Sequence, residues 1–160
     1  MAVYVYVWNE TSISNMSGSG SPSISYTDDT TLTKRGWSFV TYQDVDQTSF
    51  PKGQAQNSDT GNVSTLDVTT TPSSGDRIAV FAMAKNPSAT FSTWDTCTEQ
   101  FDTQPSDMRM AVGEGNGGDN TTTVTTGATT SLILNAIVLG AASSGITQQA
   151  MYHYQNHGKI

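Results

Sequence analysis

The fold is decided by two runs of sequence, W-S-F-V-T-Y-Q-D-V-D-Q-T-S-F-P at residues 37–51 and V-T-T-T-P-S-S-G-D-R-I-A-V-F-A-M-A at residues 68–84. Both runs are rich in β-branched and aromatic residues and contain turn residues, a pattern typical of strand, turn, strand. In the second run Pro72 presets φ and Gly75 supplies a positive φ, which predicts a tight turn. Arg77–Ala84 is then almost continuously apolar, so we expect it at the centre of the fold.

Further strands are indicated by the same alternation, bounded by turn residues. We predict them at Ala2–Trp8, Ser23–Tyr26, Trp37–Tyr42, Val63–Thr70, Thr96–Phe101, Met108–Gly113, Thr121–Thr126 and Leu132–Gly140. Gln43–Asp59 has no periodicity and contains Pro51 and Gly53, so we expect a long surface loop there. Gly115–Asn120 carries three glycines and predicts a loop between two strands. The pattern as a whole predicts an all-β protein, a two-sheet antiparallel β-sandwich of about eight strands.

The length of 160 residues suits one domain with a single core. We assign residues 1–145 to that β-sandwich domain. The remaining residues, 146–160, form a C-terminal arm, because Q-Q-A-M-Y-H-Y-Q-N-H at 148–157 differs in composition from the Thr-rich body.

Composition and charge exclude several classes of function. Ser and Thr supply roughly a quarter of the residues, which favours strands. The formal net charge is -7 and only 7 residues are Lys or Arg, so we expect no nucleic-acid partner. No apolar stretch approaches the ~20 residues of a membrane span, and no basic leader precedes the first strand, which indicates a cytoplasmic product. Cys97, the one cysteine, allows no internal disulfide and predicts a small buried side chain.

Groups that could carry catalysis are sparse. The nearest carboxylate pairs are Asp44 with Asp46 and Glu99 with Asp102. Asp44 and Asp46 lie where a strand ends, which favours turn formation through Asx hydrogen bonds over general acid–base catalysis. We therefore expect no catalytic residues and no enzymatic activity.

Both histidines lie in the C-terminal arm, at positions 153 and 157. On a helix this spacing would bring both rings to one face, but no third ligand is near, so we expect no metal and no cofactor. Tyr and Met are enriched in the cores of protein interfaces, and the arm contains Met151, Tyr152 and Tyr154, which indicates docking on a neighbouring subunit.

The first strand has two substantial faces. Val3, Val5 and Val7 lie on one of them and the aromatic side chains on the other, so one face is expected in the core and the other under a loop, a neighbouring sheet or a partner subunit. The predicted partner-binding residues at the two ends of the chain are Tyr4, Tyr6, Trp8, Met151, Tyr152, His153, Tyr154 and His157.

Three runs of this sequence resemble the jelly-roll-like β-sandwich domains of phage virion proteins and related bacterial surface proteins: residues 39–51, residues 68–81, and T-E-Q-F-D at 98–102. In that family a strand ends in an aromatic-x-G-V-D turn near a proline, and a Gly-Asp turn precedes a central apolar strand. The chain retains Tyr42, Val45, Asp46, Pro51, Gly75 and Asp76 of this pattern, and has Asp44 where the family more often has glycine. The resemblance covers roughly residues 1–140.

This resemblance implies a jelly-roll-like sandwich and a structural role in a virion. The implied function is that of a capsid decoration (cement) protein of a bacteriophage, which binds the major capsid protein on the outer capsid surface and stabilises the shell. It further implies a homo-oligomer, a trimer at local three-fold axes, made in the host cytoplasm and located on the virion.

The alternative is carbohydrate binding, by a sandwich module of its own or by a tail fibre or spike component that attaches to the host surface. Aromatic side chains can stack on sugar rings, and Trp8, Trp37 and Trp94 with Tyr4 and Tyr6 could form such a platform. The sequence leaves both functions open.

Overall fold

The computed structural model describes residues 5–9, 37–104, 107–118, 120–142 and 153–155, with backbone only for 37–39 and 153–155. The predicted strand at Ser23–Tyr26 lies outside these residues, as do Tyr4, Met151, Tyr152 and His157 among the predicted partner contacts. The side chains of His153 and Tyr154 lie outside them too. The regular secondary structure in the described part of the chain is β-strand throughout.

Eight strands follow one another along the described chain. They are β1 (Trp37–Phe39), β2 (Gly53–Thr69), β3 (Arg77–Ala84), β4 (Phe91–Trp94), β5 (Cys97–Thr103), β6 (Arg109–Asn116), β7 (Thr121–Leu139) and β8 (His153–Gln155). Six of them form one antiparallel sheet in the order β2-β7-β3-β6-β5, with β4 also paired to β7. The other two, β1 and β8, pair only with each other, so that Phe39 faces His153.

The central position predicted for Arg77–Ala84 is confirmed, because β3 lies between β7 and β6. Its side chains are buried on both faces of the sheet, from Ile78 to Ala84 with only Phe81 partly exposed. The preceding turn is also found as predicted, with Gly75 at φ 90. An apolar run without alternation therefore does mark the innermost strand here.

The predicted loop at Gln43–Asp59 is wrong in its second half, because β2 begins at Gly53. Residues 53–59 pair with residues 132–138 of β7 through a continuous antiparallel ladder. They form an edge strand with one neighbour. The side chains at 54, 56 and 58 are exposed, so these positions can be polar without disturbing the core. The backbone ladder, and not apolar periodicity, holds this segment in the sheet.

Two further differences concern the number of strands. The strands predicted at Thr121–Thr126 and Leu132–Gly140 are a single long strand, β7, which serves as partner to β2, β3 and β4. β4 was not predicted, because its four residues alternate too briefly to be recognised.

The two-sheet arrangement is not found among the described residues, where six strands form one open sheet. That sheet is bent. The ladder between β2 and β7 shifts register between Asp59 and Val63 and again before Thr65. A hydrogen bond spans the shifts: the side-chain amide of Asn57, before them, donates to the backbone carbonyl of Asp67, after them on the same strand, at 2.7 Å. The two halves of β2 therefore approach each other, which a straight strand could not allow.

The main core lies inside this bend. It unites buried side chains from both ends of β7, among them Val124 and Leu134, with Val68 of β2 and Val80 of β3. A smaller core covers the opposite face of β3 and β7, around Ala79, Ile137, Leu139 and Val45, with residues 5 and 7 packed against it. Both faces of the central strands are thus removed from water.

Candidate functional site

The N-terminal segment lies against the smaller core as an extended segment outside the sheet ladders. Val5 and Val7 pack onto this core, while Tyr6 and Trp8 stack on each other with ring centroids 6.0 Å apart and planes at 20°. The predicted division into an aliphatic face and an aromatic face is therefore confirmed for the described residues 5–8. The predicted strand over Ala2–Trp8 is not found at these positions.

Tyr6 stands out by its exposure. Its side chain is 56% exposed, and it is the large hydrophobic residue that remains exposed among the described residues. Its neighbour Trp8 is half-buried. An exposed aromatic ring of this kind, with packed valines on either side of it in the sequence, is a common feature of recognition surfaces.

An open groove of about 400 Å³ runs beside this aromatic pair. The N-terminal segment forms one wall, and strands β2 and β7 form the other. The residues that line it are Val5, Tyr6, Val7, Gln54, Ala55, Gln56, Asn135, Ala136 and Ile137. We refer to this feature as the amide groove, because three carboxamide side chains are among its lining residues.

Strand register explains how the three amides meet. Gln54 and Gln56 alternate with Ala55 on β2 and therefore point to the same face of the sheet. Gln56 pairs with Asn135 across the β2–β7 ladder, so Asn135 shares that face. This is the face on which Ile137 and the N-terminal segment form the smaller core.

The described residues that line the amide groove include no charged side chain. The side chains of Gln54 and Gln56 are exposed and make no hydrogen bond within the described part of the chain. Uncommitted amides at a partly apolar cleft can bind a ligand through both donor and acceptor atoms.

A second polar cluster lies where β3 begins and is structural in character. Lys52 Nζ forms an ion pair with Asp76 at 2.7 Å, and the Ser73 backbone N–H donates to the same carboxylate at 2.7 Å. Burial of Asp76, whose side chain is 4% exposed, opposes its ionisation, but the hydrogen bonds from Lys52 and Ser73 outweigh burial and lower its pKa. These bonds close the turn that ends at Asp76.

A buried carboxylate on β6 completes this end of the sheet. Glu114 is 5% exposed and accepts a hydrogen bond of 2.7 Å from the Tyr42 hydroxyl. Tyr42 also packs against the smaller core, so its ring and its hydroxyl both fix the segment before β2.

Asp46, Glu99 and Asp102, from the two nearest carboxylate pairs in the sequence, all accept hydrogen bonds from other side chains. Asp46 accepts hydrogen bonds from the backbone N–H and the hydroxyl of Thr48, which is the predicted Asx turn and which lowers the pKa of Asp46. Glu99 accepts from Trp94 Nε1 at 2.8 Å, whereas Asp102 is held by Arg109 at 2.7 Å. The two members of the second pair are therefore engaged with different partners.

Trp94, predicted as part of a sugar platform, does not lie with Tyr6 and Trp8. Its ring packs on Phe91, with centroids 5.8 Å apart, and lies directly over Gly113 of β6. It belongs with the main core and not with the aromatic pair at the N-terminus. The side chain of Trp37 lies outside the described residues.

The remaining candidates from the sequence are the histidines of the arm and Cys97. His153 and Tyr154 lie on β8, where the backbone is extended, so the helical spacing needed for a zinc pair with His157 is not found at His153. Within the described ranges, no group of three His, Cys, Asp or Glu side chains is close enough together to hold a metal ion. Cys97 is half-buried against the main core, 3.5 Å from the Thr122 hydroxyl.

Sequence reasoning missed the amides of the groove. Gln54 and Gln56 fell in a predicted loop, and nothing in Q-A-Q distinguishes an edge strand from a coil. Asn135 did carry a signal, since it interrupts the otherwise apolar stretch of β7.

No known protein family matches this sequence, and no curated protein or solved structure shows significant similarity to it. In the part of the chain that the structure describes, no helix has the length and apolar character needed to cross a bilayer.

Proposed function

We propose that the protein is a capsid decoration (cement) protein of a bacteriophage. It would bind the major capsid protein on the outer surface of the virion and have no catalytic activity. The observation that carries the proposal is the exposed ring of Tyr6, stacked on the half-buried Trp8, because aromatic side chains are enriched at protein interfaces. The acidic, hydroxyl-rich composition is compatible with a surface component of a shell.

The major capsid protein is proposed as the partner because the sequence resembles jelly-roll-like virion domains. The six-stranded sheet, bent so that its halves enclose the main core, supports a sandwich-like arrangement of layers. The backbone at Asp44 has φ 57, the left-handed region that favours glycine, and this agrees with the family's preference for glycine at that turn. We therefore propose the jelly-roll-like sandwich as the complete fold.

The C-terminal arm is the second proposed contact. Among the described residues β8 pairs with β1 and takes no part in the six-stranded sheet, so that sheet forms without strand pairing from the arm. The predicted contacts there are Met151, Tyr152, His153, Tyr154 and His157. We propose that this arm docks on a neighbouring subunit, either a capsid protein or another copy in a trimer.

The stabilising mechanism is mass action. A protein that binds the assembled shell and not its free subunits shifts the assembly equilibrium by its own binding free energy. No chemical step is required, only a complementary surface of sufficient area.

The test is co-sedimentation of the purified protein with expanded phage capsids. Wild-type protein should sediment with the shell and saturate, and Tyr6→Ala with Trp8→Ala should lower the bound fraction sharply. Thr98→Ala, an exposed change on the opposite edge strand, is the matched control and should bind normally. Failure of the wild-type protein to sediment with any capsid of its own phage contradicts the proposal.

A further inference from the structure

We propose that the amide groove binds a short, neutral oligosaccharide. This inference concerns a ligand and not a capsid, so it goes beyond the proposed function and does not rest on it. It is carried by three features of the described residues: the exposed ring of Tyr6 stacked on Trp8, the uncommitted side-chain amides of Gln54 and Gln56, and a lining without charged residues.

The aromatic pair offers a surface for a sugar ring. The C–H groups on one side of a pyranose are weakly positive and pack against the negative face of an aromatic ring. Tyr6 is 56% exposed, its neighbours Val5 and Val7 are packed on the smaller core, and its ring stacks on that of Trp8. The platform is therefore largely ordered before a ligand arrives, which lowers the entropy lost on binding.

The amides offer what sugar hydroxyls need. Each hydroxyl is both donor and acceptor, and a carboxamide presents one acceptor oxygen and two donor hydrogens. Gln54 and Gln56 point the same way from one strand, about 7 Å apart by strand geometry. Neither side chain makes a hydrogen bond within the described chain, so none has to be broken when a sugar binds.

Charge selects among sugars. The nine lining residues carry no formal charge, and the protein as a whole carries a net charge of -7. An anionic sugar would find no cation in the groove and would be repelled by the surrounding field. A volume of about 400 Å³, open to solvent along the groove, fits a few neutral sugar rings.

The experiment is a titration of isotopically labelled full-length protein, followed by two-dimensional amide NMR. The probes are maltotriose, cellotriose and chitotriose, with sialyllactose as the anionic comparison. At least one neutral trisaccharide should give saturable shifts that centre on residues 5–7, 54–56 and 135–137, and sialyllactose should give none.

Variants locate the site. Tyr6→Ala should weaken binding about 10-fold, the upper range for an aromatic contact, while Tyr6→Phe should retain most of it. Gln54→Ala and Gln56→Ala should each weaken it several-fold, whereas Gln100→Ala, on the opposite edge strand, should leave it unchanged. A circular-dichroism melt of each variant separates loss of the site from loss of the fold.

Three results overturn this inference: no saturable shift with any neutral probe at millimolar concentration, binding that is unaffected by Tyr6→Ala, or shifts confined to another part of the protein. Capsid co-sedimentation is measured without sugar, so either proposal can fail while the other stands. If a capsid polypeptide binds the groove through Gln54 and Gln56 and no sugar does, the ligand is a protein and the oligosaccharide is excluded.

Discussion

The side-chain amide of Asn57 donates a 2.7 Å hydrogen bond to the backbone carbonyl of Asp67, ten residues further along the same strand. In a straight strand these residues would be about 33 Å apart. The bond is possible because β2 folds over at the register shifts after Asp59. A single sheet thereby encloses its own core, with Val68 and Leu134 in one apolar cluster.

Removing this clamp should loosen the bend. Asn57→Ala is expected to lower the free energy of unfolding by about 1 kcal/mol, the net value of one such hydrogen bond. Urea titration monitored by tryptophan fluorescence measures the change. Ser58→Ala, the exposed neighbour on the other face of the strand, is the control and should be neutral. Equal stability of Asn57→Ala and wild type would show that the bond does not hold the bend.

Close packing of Trp94 on β6 requires a glycine at position 113. A Cβ there would lie 2.4 Å from Trp94 Cε3, inside the ring's van der Waals surface. Gly113→Ala should therefore cost about 1–3 kcal/mol by overpacking. At Gly53 an added Cβ meets Val138 at 3.5 Å, an ordinary contact, so Gly53→Ala should be tolerated.

A second substitution tests the cause of that loss. In a Trp94→Ala background the ring is absent, and Gly113→Ala should then cost much less than it does alone. Additive losses in the thermal unfolding of the four proteins would rule out the ring as the source of the clash.

Asp76 should make stability depend on pH at the acid end. Its pKa in the folded protein lies below the ordinary value of 3.8, so its contribution is full above that pH and is lost as the pH falls through the lowered pKa. Asp76→Asn should cost about 1–3 kcal/mol at neutral pH, because the Lys52 and Ser73 donors lose an ionised acceptor.

The difference between wild type and Asp76→Asn should shrink when the pH is lowered through that range. Asp67→Asn is the control, since this exposed carboxylate makes no hydrogen bond through its side chain in the described part of the chain. A difference that stays constant from neutral to acid pH would contradict the assignment.

Deletion of residues 146–160 separates the arm from the body. All six strands of the main sheet lie before residue 140, so the truncated protein should retain the β-rich circular-dichroism spectrum and cooperative unfolding. Its binding to capsids, or its assembly into oligomers measured by analytical ultracentrifugation, should be lost. Unchanged binding and assembly would show that the arm is not a contact surface.

The parts of the fold that the sequence predicted are those with a local signal. The apolar run of β3 and the turn at Gly75 depend on side-chain burial and on a positive φ, both of which leave a trace in residue types. Residues 53–59 of β2 leave none, because an edge strand needs only backbone hydrogen bonds to one neighbour. The bend also leaves no trace in residue types, since it lies at register shifts of the β2–β7 ladder and is bridged by a bond between residues ten apart.

The candidate site was predicted in part for the same reason. Alternation of aliphatic and aromatic residues predicted that Tyr6 and Trp8 share one face, and their rings are stacked. The amides opposite them come from strand register, which brings Gln56 to Asn135 across 79 positions of sequence. Pairing at that separation cannot be inferred from either segment alone.

The most direct test of the central claim compares capsid binding by the wild-type protein and by the double variant Tyr6→Ala/Trp8→Ala, at equal concentrations and with both shown to be folded. The wild-type protein should co-sediment saturably with expanded capsids, and the double variant should lose at least 10-fold in affinity. Equal binding by the two proteins would contradict the assigned contact surface, and absence of binding by the wild-type protein would contradict the decoration function itself.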